Sequence, residues 1–214
     1  MYTYKNLRGE PIPGPAQLQD LSDRVQKRVD ALPVGLQDHI YRVKDIALKL
    51  AEQHGLDKER AGLGMLAHDI ARAMAGPELF RRAAEFGLTI NLLERQVPVL
   101  LHGPVGAELL RREDRLDDLS IYRAVYWHTT AHPALDDLGK LVFLADKLDP
   151  QKIARYPFIP ELRRLAMEDL DRAVLEFLTR ELASLTSRGE LVHPAMVEAR
   201  NALLLARPEE VSGR

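Results

Sequence analysis

The chain of 214 residues contains no cysteine. This excludes disulfides, thiolate metal sites and cysteine nucleophiles, so any metal site must be built from histidines and carboxylates. Long apolar runs are also missing: none approaches the roughly 18 residues that a membrane span requires. Residues 1–5 lack the apolar core of a signal peptide, and we therefore expect a cytoplasmic protein.

A strong excess of one charge is absent as well. Lys and Arg number 30 against 32 Asp and Glu, which gives a formal net charge of −2. This balance provides no electrostatic reason to expect nucleic acid or an anionic membrane as a partner. Apolar residues make up 46% of the chain and charged residues 29%, which is typical of a soluble globular domain. We expect one domain with appended ends.

No alternating strand pattern of useful length appears, whereas apolar residues recur at helical spacing. The pattern predicts an all-α fold, a helical bundle. The predicted helices span about residues 18–32, 36–54, 58–70, 77–86, 102–112, 120–129, 137–149, 161–187 and 194–206.

The two ends differ from this pattern. Residues 1–17 form a proline-rich N-terminal arm, because Pro11, Pro13 and Pro15 disfavour a helix. Both a loose leader and an arm exchanged within a homodimer fit this composition. We assign residues 18–206 to the domain and expect residues 207–214 to form a loose polar tail.

The pair His68-Asp69 ends a short helix that is rich in small residues, including Gly62 and Gly64. Glycines inside a helix reduce its stability, so we expect them to allow close packing against neighbouring helices. Four further residues stand on or at the edge of predicted helices, next to apolar residues: His39, His102, His128 and Asp146. Burying such side chains without partners is unfavourable.

A divalent cation provides these partners, because imidazole nitrogens and carboxylate oxygens are its ligands. The residues predicted for one metal are His39, His68, Asp69 and Asp146. Asp69 would bridge to a second metal held by His102 and His128. A water shared by two metals would have its pKa lowered from 15.7 towards about 7 and could attack phosphorus.

The alternative interpretation is structural. A single histidine on an apolar helix face is usually a hydrogen-bonded core residue, but six such side chains together favour a metal centre. A purely structural bundle would not require them. His132 follows His128 by four residues and could face the same pocket.

The order His, His-Asp, His, His, Asp resembles that of the HD-domain metal-dependent phosphohydrolases. The finer resemblance is to the YqeK family, whose members hydrolyse diadenosine tetraphosphate symmetrically. It covers about residues 36–205, and the matching stretches are His39–Val43, Leu66–Ile70, Leu101–Ala107, Tyr126–Thr130, Leu144–Pro150, residues 162–173, Val192–Pro194 and Ala199–Asn201.

The resemblance implies that the same six residues bind two metals, with iron expected and manganese compatible with the ligands. It implies hydrolysis of diadenosine tetraphosphate to two ADP by a metal-bridging hydroxide, with Asp69 and Lys147 as catalytic residues. Thr129, Thr130 and His132 are the candidate substrate-binding residues. The expected partner is a nucleotide. Another nucleotide phosphohydrolase, acting on a mononucleotide or nucleoside triphosphate, and a catalytically silent nucleotide-binding domain are the alternatives.

The sequence departs from the family pattern at four positions. Asp149 stands where Glu is usual, Lys152 replaces an Arg, with Arg155 nearby, Ala131 replaces a Gly, and Leu36 replaces an Arg. None of these removes a predicted metal ligand. They fall where phosphate or nucleoside would be held, so they bear on substrate preference rather than on hydrolysis.

Overall fold

The computed structural model describes residues 4–10, 12 and 18–207. These residues form eleven α-helices and no β-sheet, which confirms the all-α prediction. The helices are α1 (Leu18–Asp30), α2 (Val34–Gln53), α3 (Lys58–Ala67), α4 (Gly76–Glu85), α5 (Leu92–Gln96), α6 (His102–Arg112), α7 (Leu119–Trp127), α8 (Asp137–Lys147), α9 (Ile159–Glu168), α10 (Leu170–Ser187) and α11 (Pro194–Leu205).

Helix α3 lies at the centre of the bundle, where α1, α2, α7 and α8 pack around it. All its residues from Arg60 to Ala67 are buried. A Cβ atom at Gly64 would lie 3.1 Å from Cγ2 of Val142 in α8, and one at Gly62 would lie 3.4 Å from the Lys44 side chain of α2. The glycines therefore allow the close packing that the sequence predicted.

Helix α3 ends at Ala67, three residues before the predicted end, so His68 and Asp69 lie in the turn that follows. The last carbonyls of an α-helix lack backbone partners. Here the ring of His68 supplies one, because its Nδ1 lies 2.6 Å from the carbonyl oxygen of Met65. The helix end thus fixes the orientation of a predicted metal ligand.

The prediction of one helix over residues 161–187 is wrong. The structure has two helices, α9 and α10, separated at Asp169, whose backbone is extended with φ −155° and ψ 108°. The Asp169 carboxylate accepts a hydrogen bond from the backbone N–H of Arg172 at 3.0 Å. Because Asp favours such a cap over a helix interior, it begins a new helix here.

The described part of the N-terminal arm packs on its own domain. The guanidinium of Arg60 lies 4.1 Å from the ring centre of Tyr4, and the backbone N–H of Leu119 donates to the carbonyl of Lys5 at 2.8 Å. Most of the predicted proline-rich segment and the end of the polar tail lie outside the described residues. Among the helices described, none has the length and apolar character needed to cross a bilayer.

Candidate metal centre

The six side chains predicted as ligands meet at one place in the bundle. They form two neighbouring groups, and within each group the nitrogen and oxygen atoms that could hold a cation lie within 4.8 Å of one another. The groups are His39, His68 and Asp146, and Asp69, His102 and His128. Residues 107 positions apart in the chain are thus brought together by the packing of α2, α3, α6, α7 and α8.

Three of the histidines are oriented by the same local hydrogen bond. His68, His102 and His128 each directly follow a helical segment, and each places Nδ1 against the carbonyl oxygen of the residue three positions earlier. The accepting carbonyls belong to Met65, Val99 and Val125. Nδ1 must therefore carry the proton and donate it, which leaves a lone pair on Nε2 directed away from the helix end.

These lone pairs converge on each other. Nε2 of His102 lies 2.9 Å from Nε2 of His128, and Oδ1 of Asp69 lies 3.0 Å from the former and 3.5 Å from the latter. Burial lowers the pKa of His128 to about 4, so this ring is neutral at physiological pH. Three hydrogen-bond acceptors this close repel one another unless a cation lies between them.

His68 provides a second sign of a cation site. Its Nε2 is fully buried and has no hydrogen-bond partner among the described residues. A buried polar atom without a partner is costly, and a bound ion or water is one way to satisfy it. The combination of imidazole nitrogens and carboxylate oxygens therefore fits a divalent metal in this position.

Asp69 lies between the two groups. While Oδ1 faces His102 and His128, Oδ2 lies 3.5 Å from Nε2 of His68 and 3.8 Å from Nε2 of His39. Burial raises the pKa of Asp69, whereas His68, His102 and His128 in their protonated forms would hold it well below its usual value, and a bound cation acts in the same direction. The carboxylate is ionised and has one oxygen available to each group.

His39 is oriented by a residue whose role the sequence did not reveal. Its Nδ1 lies 2.6 Å from Oδ2 of Asp149, and its Nε2 lies 3.1 Å from Oδ1 of Asp146. Arg42 in turn donates to both oxygens of Asp149, at 3.2 and 3.0 Å. The sequence signal available was the position of Arg42, three residues after His39 on the same helix face.

Two lysines bind the carboxylate of Asp146. Lys147 donates to Oδ2 at 2.6 Å and also to the carbonyl of His128 at 3.1 Å, and Lys152 donates to Oδ1 at 2.5 Å. Burial raises the pKa of Asp146, but Lys147 and Lys152 hold it well below its usual value. Burial also lowers the pKa of Lys147, against the opposite effect of Asp146. Positive charge is therefore concentrated beside the centre.

The predicted substrate-binding residues separate into two places. The hydroxyl of Thr129 lies 3.1 Å from Nε2 of His128, and Thr130 is buried at the edge of the same cavity. His132 instead stacks on Trp127, with ring centres 4.3 Å apart and planes 17° apart, and lines a different cavity. The chain turns at Ala131, whose φ of 58° lies in the left-handed region. The structure therefore does not bring His132 to the centre.

A cavity of about 760 Å³ opens onto the centre and is lined by Asp69, His102, His128 and Asp146. Its cationic lining consists of Arg72, Lys147, Lys152 and Arg155. Lys152 and Arg155, which lie in a stretch that departs from the family pattern, thus reach the cavity. Arg72 was not predicted; it follows Asp69 by three residues and makes no side-chain hydrogen bond within the described residues.

Comparison with known proteins places this site in a family. The HD domain model matches residues 36–151. Proteins named symmetrical bis(5'-nucleosyl)-tetraphosphatase from Bacillus subtilis and Halalkalibacterium halodurans are 31% and 30% identical, over 73% and 78% of this chain and 82% and 88% of their own.

A crystal structure of a predicted HD superfamily hydrolase involved in NAD metabolism, from Clostridium acetobutylicum, superposes with a TM-score of 0.79. It is 27% identical, and the match covers 91% of this chain and 100% of the other. The chain therefore belongs to the HD-domain family and is a metal-dependent HD-domain phosphohydrolase related to the symmetrical bis(5'-nucleosyl)-tetraphosphatases.

Proposed function

We propose that this protein hydrolyses dinucleoside polyphosphates, and that its reaction is diadenosine tetraphosphate plus water to two ADP. The observation that carries the proposal is the convergence of Nε2 of His102 and Nε2 of His128 on Asp69, directly beside a cavity with four cationic side chains. The names of the relatives support the choice of substrate.

The ligand assignment follows the two groups. His39, His68 and Asp146 would hold one metal, while His102 and His128 would hold the other, with one oxygen of Asp69 directed to each. When bound, the two metals would acidify a shared water and neutralise phosphate charge. Iron as the metal, a homodimer and a cytoplasmic location stay predictions.

The side chains around the centre can stabilise the negative charge that develops during hydrolysis. Hydrolysis joins the water oxygen to an inner phosphorus and breaks the central P–O–P bond, and ADP leaves with the bonding electron pair on its terminal oxygen. Lys147, Lys152 and Arg72 line the cavity where this negative charge develops. Because the leaving phosphate is a weak base, with a pKa of about 6, no strong general acid is required.

Product analysis tests the proposal. Protein loaded with manganese or iron is incubated with diadenosine tetraphosphate, ATP and AMP in separate reactions, and the products are separated by chromatography. ADP as the sole product of the dinucleotide supports symmetrical cleavage, whereas AMP plus ATP contradicts it. The Asp69→Ala variant, prepared in parallel, controls for contaminating phosphatases.

Two other outcomes of this experiment would support one of the alternative functions instead. Hydrolysis of a mononucleotide or nucleoside triphosphate without turnover of the dinucleotide would make the protein a different nucleotide phosphohydrolase. Nucleotide binding without hydrolysis of any of the three compounds would make it a silent nucleotide-binding domain.

A further inference from the structure

The cavity continues beyond the metal centre into a region with a different lining. There its walls are apolar and include Tyr156, Phe177, Leu185 and Met196. The rings of Tyr156 and Phe177 lie 5.2 Å apart in an edge-to-face arrangement. Aromatic and aliphatic walls of this kind suit the faces of a nucleobase.

One buried carboxylate interrupts these apolar walls. The side chain of Glu181 is 8% exposed and lines the cavity. Its Oε1 accepts hydrogen bonds from Nη2 of Arg155 at 3.2 Å and from the hydroxyl of Tyr156 at 3.3 Å. Its Oε2 accepts none from the described residues. This oxygen is not fully buried, so it is accessible from the cavity and can accept an N–H from a ligand.

Arg155 places donors next to this free acceptor. Its side chain is 64% exposed, and among the described residues its hydrogen bond to Glu181 engages one of its nitrogens. Arg155 and Glu181 therefore present a donor beside an acceptor. The Watson–Crick edge of adenine has the complementary pair, an amino N–H beside the N1 acceptor.

We propose that Glu181 is a specificity-determining residue, and that its free oxygen accepts the exocyclic amino group of an adenine while Arg155 donates to N1. The inference rests on the proposed function for the identity of the substrate. Hypoxanthine has a carbonyl at the amino position and a proton on N1, so in this pose it would place an acceptor against the carboxylate oxygen and a donor against Arg155.

The substitution Glu181→Gln inverts this recognition. Arg155 and the Tyr156 hydroxyl are both donors to Oε1, so they select the amide oxygen at that position. The amide NH₂ then faces the cavity, where it opposes the amino group of adenine and favours the carbonyl of hypoxanthine.

The experiment compares kcat/KM for diadenosine and diinosine tetraphosphate. The unmodified protein should prefer the adenine compound by about 10- to 100-fold, as expected for one charge-assisted hydrogen bond. Glu181→Gln should lose or reverse this preference, mainly through KM. Glu190→Gln, which alters another carboxylate of the same cavity, should keep the preference.

Binding of ADP and IDP, measured by calorimetry, separates this proposal from the proposed reaction. A protein that binds ADP more tightly than IDP through Glu181, yet does not cleave diadenosine tetraphosphate, would overturn the reaction alone. Equal affinity for both nucleotides, or an adenine preference that survives in Glu181→Gln, would overturn the role of Glu181. If that variant does not fold, Arg155→Met at the exposed partner should reduce the preference instead, and an unchanged preference would refute the proposal.

Discussion

Asp149 binds Nδ1 of His39: its Oδ2 lies 2.6 Å from this nitrogen, and Arg42 donates a hydrogen bond to the same oxygen at 3.0 Å. The negative charge orients the ring and makes its other nitrogen a better metal ligand. Because Asp149 is 2% exposed, water is a poor substitute for these contacts. This is the position at which the family usually has Glu.

We predict that Asp149→Asn weakens metal binding by about 10- to 100-fold, the usual effect of removing such an orienting carboxylate. Titration of the protein with metal, monitored by calorimetry, measures the change in metal affinity. Asp149→Glu should retain most of the affinity, and Asp45→Asn, at an exposed position on the helix that carries His39, should have no effect. Unchanged affinity in Asp149→Asn would refute the orienting role.

Asp69→Ala is expected to lose metal and activity together, because this carboxylate faces both groups of ligands. Metal content per chain, measured by elemental analysis, should fall below that of the unmodified protein, and hydrolysis should become undetectable. Circular dichroism confirms that the variant is folded. A folded Asp69→Ala protein with full activity would disprove the two-metal mechanism.

Gly103 in α6 is predicted to tolerate no side chain. A Cβ atom there would lie 2.7 Å from the carbonyl oxygen of Tyr126 and 3.4 Å from the ring of His128. Gly103→Ala should therefore lower the free energy of unfolding by about 1–3 kcal/mol, as overpacking does, and should reduce metal affinity by displacing His128. Gly35→Ala meets no atom within 4 Å and serves as the control in the same thermal unfolding assay.

Lys152 is expected to act on substrate phosphate. Its side chain is 31% exposed and lines the cavity, so it can contact a ligand as well as Asp146. Lys152→Met should lower kcat/KM for the dinucleotide by about tenfold, the loss of one charged hydrogen bond. Steady-state kinetics at saturating metal should show Lys152→Arg close to the unmodified protein. Equal losses in Lys152→Met and in Lys49→Met, on an exposed face of α2, would contradict this role.

Patterns within a few helical turns were enough to predict most of the fold. Helical periodicity located most of the helices to within a few residues, and Asp118 and Asp136 cap the beginnings of α7 and α8. The prediction of one long helix over residues 161–187 is wrong because Asp169 caps the beginning of α10. The spacing of apolar residues contains no information about such a cap.

The sequence by itself determined the ligand chemistry and its order along the chain, because the absence of Cys and the His and Asp residues beside apolar helix faces leave few other interpretations. Tertiary structure decided the rest. It placed Asp149 against His39, turned His132 away at Ala131, and brought Glu181 to the cavity. These relationships depend on how helices pack across the bundle, so no local pattern encodes them.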